Sequence, residues 1–172
     1  MVGLVKPVPL TEIRPARDDE LPAVAALRWR WVTDQGGPLH CAQADFVREF
    51  AAWARAHAET HHCLVAVRDE HVLGMAFLAL TPRVPTPHDF SRVCGDVQCV
   101  YVVPEARDSG VGGLLIEATL RLAAEFGMER VTVHSSDRAI PAYLRHGFSV
   151  SKNLLQSELR IAVDVPANRA YS

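Results

Sequence analysis

A chain of 172 residues with a formal net charge of −2 is long enough for one domain and lacks the basic surplus expected of a nucleic-acid-binding protein. Its 49% apolar and 22% charged residues are typical of a globular protein and exclude an intrinsically disordered chain. The most apolar predicted helix contains Glu117, Arg121 and Glu125, which exclude a membrane span.

The first part of the chain is predicted to form one strand and two helices. Residues 1–9 look like a loose leader without a signal-peptide pattern, so we expect a cytoplasmic protein. Acidic residues favour a helix N-terminus, and a Gly-Gly-Pro run ends a helix. The predicted elements are a strand over Leu10–Pro15, a helix from Asp18 to the break at Gly36, and a helix over Ala44–His57.

A hairpin and a proline-rich loop are predicted next. Cys63–Arg68 and Val72–Leu80 have the residue pattern of strands, and the short polar turn Asp69–His71 joins them. Thr81–Gly95 contains three prolines and is predicted to be a long loop. Two interpretations of this loop stay open: it covers an acceptor pocket, or it is a surface excursion.

The central feature of the sequence is a strand, a glycine-rich turn and a helix. Val97–Val103 is predicted to be a strand that stops at Pro104, because proline cannot donate to a sheet ladder. The turn Arg107–Gly113 leads into an apolar helix over Gly110–Phe126. Free N–H groups and the helix dipole make such a helix N-terminus a site for an anion. The alternative is that the glycines only form a tight turn.

The C-terminal part begins with a second strand and helix. Arg130–His134 is predicted to be a strand, and Ser136 opens a helix that closes with Gly147 and Phe148. A final hairpin is expected from Phe148–Val150 and Leu154–Val163. Residues 166–172 are expected to be a frayed tail, and the whole of residues 1–172 a single domain.

These two stretches resemble motifs A and B of the GNAT superfamily, the acyl-CoA-dependent N-acetyltransferases. Val102 to Gly112 follow V-x-P-x-x-(R/Q)-x-x-G-x-(G/A), and Ser136 to Phe148 follow (N/S)-x-x-A-x-x-x-Y-x-x-x-G-F. Leu115 excludes a dinucleotide fingerprint, and the lack of a nearby lysine excludes a P-loop. The resemblance implies an α/β (α+β) GNAT fold: a single domain with a mixed, mostly antiparallel sheet of about seven strands and helices on both faces.

The resemblance implies that acetyl-CoA is a co-substrate. Backbone amides of the turn would hold the coenzyme pyrophosphate, with Arg107 in contact with it. Strand amides at Val100 and Val102 would meet the pantetheine arm, and Ser136 would offer it a short polar group. The turn residues concerned are Asp108, Ser109, Gly110, Val111, Gly112 and Gly113. No metal is expected, because the four cysteines are scattered without a zinc-type spacing.

Two residues are candidates for proton transfer. The resemblance implies that Tyr143 protonates the departing coenzyme thiolate, although it could also be a packed aromatic residue. Asp96 falls where one branch of the superfamily carries a glutamate base, and alternation predicts that Asp96, Gln98 and Val100 share one face of the strand. The alternatives are that a chain of water molecules acts as the base, or that Asp96 only ends the loop.

The predicted function is transfer of an acetyl group from acetyl-CoA to a primary amine by direct attack in a ternary complex. The acceptor is a small-molecule or peptide amine of unknown identity, and no nucleic-acid or membrane partner is expected. Dimerisation is compatible with the resemblance. The competing hypothesis is a non-catalytic acyl-CoA-binding sensor or scaffold module with the same fold; the presence of Tyr143 favours the enzyme, because a pure binder needs no acid for a leaving group.

Overall fold

One sheet with the strand order β1-β2-β3-β4-β5 organises the computed structural model, which describes residues 10–157. The strands are β1 (Glu12–Pro15), β2 (His61–Arg68), β3 (His71–Pro82), β4 (Val93–Val102) and β5 (Val131–Val133). The helices are α1 (Leu21–Gln35), α2 (Gln43–Ala56), α3 (Val111–Glu125) and α4 (Ile140–Arg145). Neighbouring strands are antiparallel except β4 and β5, which run parallel. The sheet is therefore mixed and mostly antiparallel, as expected.

The helices cover both faces of the sheet. On one face, Val24 and Leu27 of α1 pack in a core cluster with Phe77 of β3. On the opposite face, Val111 and Leu115 of α3 pack against strand residues that include Ala76. Strand alternation explains this division, because Ala76 and Phe77 are neighbours in sequence and point to opposite faces. Within residues 10–157, no helix combines the length and the apolar character needed to cross a membrane.

The prediction of about seven strands was wrong for the described part of the chain, which contains a sheet of five. Phe148–Val150 and the first residues of the predicted partner, 154–157, form no strand. Phe148 instead packs in the core beside β5, and its ring meets Tyr143 edge-on at 5.2 Å between centroids. The rest of the predicted hairpin, the leader 1–9 and the tail 166–172 lie outside the described residues.

The predicted proline-rich loop over Thr81–Gly95 was too long at both ends. Strand β3 continues to Pro82, which pairs with Val93, the first residue of β4. The connection is therefore residues 83–92, closed by a hydrogen bond from Arg83 N to Arg92 O at 2.9 Å. Pro82 is tolerated because it occupies the last position of the ladder, where a missing N–H costs least.

A buried ion pair joins β1 to the start of α1. Glu20 is only 7% exposed and accepts two hydrogen bonds from the Arg14 guanidinium, at 2.7 Å each. The Arg14 hydrogen bond lowers the pKa of Glu20 from 4.5 to about 2, against the opposing effect of burial. Between these pH values the unfolded chain binds a proton that the folded chain does not, so stability falls as pH drops from about 4.5 to about 2.

We expect Glu20→Gln to lower the free energy of unfolding at neutral pH by about 2 kcal/mol, because it removes the buried carboxylate that accepts the two short hydrogen bonds of the Arg14 guanidinium. It should also flatten the fall in stability between pH 4.5 and 2. Urea unfolding at several pH values measures both effects. Asp18→Asn is the control, since its pair with Arg55 is exposed and should matter little. Equal losses in the two variants would contradict the prediction.

Candidate functional site

The turn between β4 and α3 directs unpaired N–H groups outward. Asp108 and Gly110 have positive φ angles of 60° and 85°, and Gly110 is the N-cap of α3. The first intrahelical bond runs from Leu114 N to Gly110 O at 3.1 Å, and no side chain caps this helix end within the described chain. The N–H groups of Val111, Gly112 and Gly113 are therefore available to an anion, which the helix dipole also favours.

The three glycines of this turn occupy their positions for different structural reasons. Gly110 needs its positive φ angle of 85°. A Cβ at Gly113 would lie 2.7 Å from Nε2 of His146, so the missing side chain makes room for that ring. A Cβ at Gly112 would meet only Val102 Cγ2, at 3.9 Å. Nothing in the fold requires glycine at position 112, and the open space beside its N–H fits a phosphate group that approaches the backbone closely.

The different surroundings of Gly112 and Gly113 predict that alanine at these two positions changes the stability of the protein differently. Gly112→Ala should raise the free energy of unfolding by about 1 kcal/mol, because alanine favours a helix and meets no neighbour. Gly113→Ala should gain nothing, because its Cβ displaces His146, whose Nδ1 lies 3.2 Å from Glu117 Oε1. Urea unfolding of the two variants measures the difference, and Gly113→Ala/His146→Ala is the control that removes the obstructing ring. Equal stabilities for the two single variants would contradict this account.

Two side chains of the turn hydrogen-bond to backbone carbonyl groups of the protein. Arg107 donates a hydrogen bond from Nε to Val102 O at 3.0 Å, and its guanidinium carbon lies 5.5 Å from the centroid of the Tyr101 ring. The Ser109 hydroxyl donates to Ala106 O at 2.7 Å. These contacts hold the turn against the end of β4. The predicted contact of Arg107 with a pyrophosphate stays a prediction.

Strands β4 and β5 separate part of the way along their length. They pair only from Gly95–Val131 to Val97–Val133. Just past the end of β4, Val103 N donates to Leu73 O of β3 at 2.9 Å. Because successive residues of a strand direct their N–H groups to opposite sides, the Val102 N–H points away from β3, toward the gap that β5 leaves. A gap beside this amide suits an extended ligand arm.

A bulge interrupts β4 in the middle of this region. Met75 pairs with Tyr101 and Phe77 pairs with Gln98, so Cys99 and Val100 both lie opposite Ala76. Cys99 has a φ angle of 55°, which is unusual for a residue with a side chain. The predicted common face of Asp96, Gln98 and Val100 is therefore wrong for Val100, because the bulge turns it toward the α3 face.

Asp96 is held by hydrogen bonds to both of its carboxylate oxygens. Gln98 Nε2 donates to Oδ2 at 2.8 Å, and the Thr132 hydroxyl of β5 lies 3.3 Å from Oδ1. Asp96 is partly buried at the point where β4 and β5 still pair. A carboxylate oriented in this way, next to the gap between the strands, can accept a proton from a bound amine. The structure thus places Asp96 within the sheet rather than at the end of a loop.

Tyr143 lies on α4 with its side chain turned into the protein. It is 7% exposed, and burial raises its pKa from 10.0 to about 12. It lines a cavity of about 680 Å³ together with Thr132, the residue that also contacts Asp96. Residues 10–157 contain no hydrogen-bond partner for its hydroxyl. A tyrosine that keeps its proton to high pH is suited to act as an acid and not as a base.

The structure places some of the predicted site residues in one region of the protein and leaves Ser136 apart from them. Asp96 contacts Thr132, and Thr132 lines the same cavity as Tyr143, whereas Ser136 is exposed in the loop before α4. Sequence reasoning missed the roles of Thr132 and His146. Strand pairing alone could have suggested Thr132, because it lies directly opposite Asp96. Nothing local in the sequence indicates that His146 packs over Gly113.

A mixed sheet that opens between two parallel strands, with free N–H groups at the start of the helix that joins them, is the arrangement that the GNAT resemblance implies. Residues 23–148 match the Acetyltransferase (GNAT) family, which is most of the chain. The chain therefore belongs to this family.

Known relatives and structures agree with this assignment. The chain is 30% identical over 56 residues to the uncharacterized N-acetyltransferase YjcF of Bacillus subtilis, a match that spans 33% of this chain and 40% of that relative. The fold is similar to a predicted acetyltransferase from Clostridium acetobutylicum with acetyl-CoA: TM-score 0.71, 17% identity, 87% of this chain and 96% of that one. Glucosamine-6-phosphate N-acetyltransferase from Arabidopsis thaliana has a TM-score of 0.67 at 14% identity, over 88% of this chain and 99% of that one.

Proposed function

We propose that this chain transfers an acetyl group from acetyl-CoA to a primary amine, by direct attack of the amine in a ternary complex. The observation that carries the proposal is the open space at Gly112, next to the free N–H groups of the first turn of α3. A glycine that the fold does not require, at a helix N-terminus, is best explained by a ligand phosphate in that position. The acetyl-CoA in the similar Clostridium acetobutylicum structure supports the same ligand.

The coenzyme would lie along the gap between β4 and β5. The amides of the turn from Asp108 to Gly113 would hold its pyrophosphate, and the Val102 N–H would meet the pantetheine arm. The Val100 amide, at the bulge, would lie near the thioester. Arg107 would add positive charge at the turn through the part of its guanidinium that does not bind Val102 O.

Proton transfer completes the reaction. Asp96 accepts a proton from the amine, directly or through water, so that the nitrogen lone pair can attack the thioester carbonyl carbon. A C–N bond forms and the C–S bond breaks. Tyr143 donates its hydroxyl proton to the departing sulfur and regains a proton from solvent, and Asp96 releases to solvent the proton that it took from the amine. The products are an N-acetylated amine and the free thiol of the coenzyme.

The test is the release of thiol from acetyl-CoA in the presence of a panel of primary amines. Amine-dependent release by the wild-type protein supports an enzyme, whereas coenzyme binding without any release supports the sensor hypothesis. Asp96→Asn should lower kcat/KM by about 10- to 100-fold near neutral pH, since it removes the base and keeps the shape. Gln98→Leu is a useful companion variant, because it keeps the Asp96 carboxylate and removes only one of its hydrogen bonds. Unchanged activity in Asp96→Asn would favour a chain of water molecules as the base.

A further inference from the structure

Arg28 of α1 has an unusual environment among the charged residues of this protein. Within residues 10–157, the other partly buried arginines each have a carboxylate, hydroxyl or carbonyl partner. Arg28 is also partly buried, but it has neither a salt bridge nor a hydrogen bond to the described part of the chain. Leaving a guanidinium partly desolvated and unpaired is unfavourable, so a retained arginine of this kind is a candidate for ligand binding.

The position of Arg28 is set by an aromatic platform. Its guanidinium carbon lies 4.5 Å from the centroid of the Trp31 ring, one turn along α1. Trp31 in turn stacks on Tyr101 of β4, with ring centroids 5.9 Å apart. A guanidinium held over an aromatic ring uses none of its N–H donors for that contact, and its forked N–H groups can then bind a carboxylate. The platform therefore orients Arg28 without using its hydrogen-bond donors.

Asp96, the candidate base, is directed to the same face of the sheet that α1 and its Arg28 cover, because the neighbouring Val97 packs on the α3 face. Burial raises the pKa of the Cys99 thiol, the positive charge of Arg28 lowers it, and the negative charge of Asp96 raises it. Cys99 itself packs against the core cluster on the α1 face, so both charges act on a residue of that face. A cationic group and an anionic group on the same face of the sheet match a molecule that carries both charges.

We propose that the acetyl acceptor is an amine that also carries a carboxylate, and that Arg28 binds this carboxylate while Asp96 faces the amine. This inference rests on the proposed function and adds the class of acceptor. A carboxylate pairs with both edge N–H groups of the guanidinium, whereas an amine without an acidic group leaves Arg28 unpaired. The protein therefore prefers amino acids and related amino carboxylates to simple alkylamines.

The experiment compares amines that differ by a carboxylate. The pairs are glycine with methylamine, 4-aminobutanoate with propylamine, and phenylalanine with phenethylamine, which vary the separation and the bulk of the two groups. Rates with acetyl-CoA are measured for the wild type and for Arg28→Met, which keeps an unbranched apolar stem on Trp31 but removes the charge. Arg121→Met is the matched control, because Arg121 is an exposed arginine of α3 without a partner in the described chain.

We expect Arg28→Met to lower kcat/KM by about 10- to 100-fold for the amino carboxylate that the wild type uses best, and to change it little for the matched alkylamine. Because each ratio compares the same amine in two proteins, differences in the basicity of the amines cancel. Arg121→Met should leave both rates unchanged. Equal losses for the two members of a pair would mean that Arg28 only supports the fold, and would overturn the inference.

A binding measurement separates this inference from the proposed reaction. Calorimetry first tests whether the wild type binds acetyl-CoA, and then titrates each amine into protein saturated with CoA. Tighter binding of the amino carboxylates in the wild type, lost in Arg28→Met, supports the acceptor class even if no turnover is seen. Binding of alkylamines as tightly as amino carboxylates overturns it. Failure of coenzyme binding itself would instead refute the proposed function.

Discussion

Gly112→Trp should abolish acetyl-CoA binding while the protein stays folded. The expected loss of affinity is at least about 100-fold, because the indole would fill the space in which a phosphate reaches the N–H groups of α3. The fold should tolerate the change, since a Cβ at position 112 meets only Val102 Cγ2, at 3.9 Å, and points into open space. Tryptophan is also a better helix former than glycine.

Calorimetric titration with acetyl-CoA measures the affinity, and thermal unfolding shows that the variant is folded. Ala124→Trp is the matched control, because it places the same side chain at an exposed position at the other end of α3. We expect the control to bind acetyl-CoA as the wild type does. A folded Gly112→Trp variant with full affinity would mean that the glycines serve only the turn, and the coenzyme site would have to lie elsewhere.

Tyr143→Phe should lower kcat by about 100-fold or more and leave the affinity for acetyl-CoA nearly unchanged. The ring would remain in place, because it packs against Phe148 and is 7% exposed. The variant would lose only the hydroxyl that we propose as the proton donor to the departing thiolate. Steady-state rates with an accepted amine, together with calorimetric binding of acetyl-CoA, separate the catalytic effect from a binding effect.

The pH dependence gives a second measurement on Tyr143. Burial raises its pKa to about 12, so the hydroxyl keeps its proton through neutral and mildly alkaline pH. The rate should therefore show no loss attributable to this acid up to about pH 10. A fall in kcat that begins near pH 8 in the wild type and vanishes in Tyr143→Phe would contradict this assignment.

Tyr101→Phe is the control for removing a tyrosine hydroxyl. The Tyr101 hydroxyl is buried and has no hydrogen-bond partner in the described structure. Phenylalanine at this position removes a buried polar group that has no hydrogen-bond partner in the described structure. We therefore expect an equal or higher free energy of unfolding and an unchanged kcat. The stacking of Tyr101 on Trp31 would be retained, since only the ring takes part in it. A loss of activity as large as that of Tyr143→Phe would contradict the assignment of Tyr143 as the proton donor.

The strand and the helix on either side of the proposed coenzyme-binding turn are predictable from the sequence, because neighbouring residues set their ends. Pro104 ends the pairing of β4, and Gly110 adopts the positive φ angle that begins α3. The position of Tyr143 on a short helix also follows from its neighbours in sequence. The extent of the loop before β4 does not follow from neighbouring residues. Whether Pro82 belongs to a strand depends on its partner Val93, which lies in the following strand.

The family motifs, the strand–turn–helix unit and the residue types offered for chemistry are readable in the sequence, because they depend on short-range steric and hydrogen-bonding preferences. The contacts between these groups are visible only in the folded protein. The bulge at Cys99 arises from the register between β3 and β4, and it removes Val100 from the face of Asp96. The contact between Asp96 and Thr132 joins residues 36 positions apart, through the pairing of β4 with β5. Such contacts follow from packing between distant segments, which no local pattern encodes.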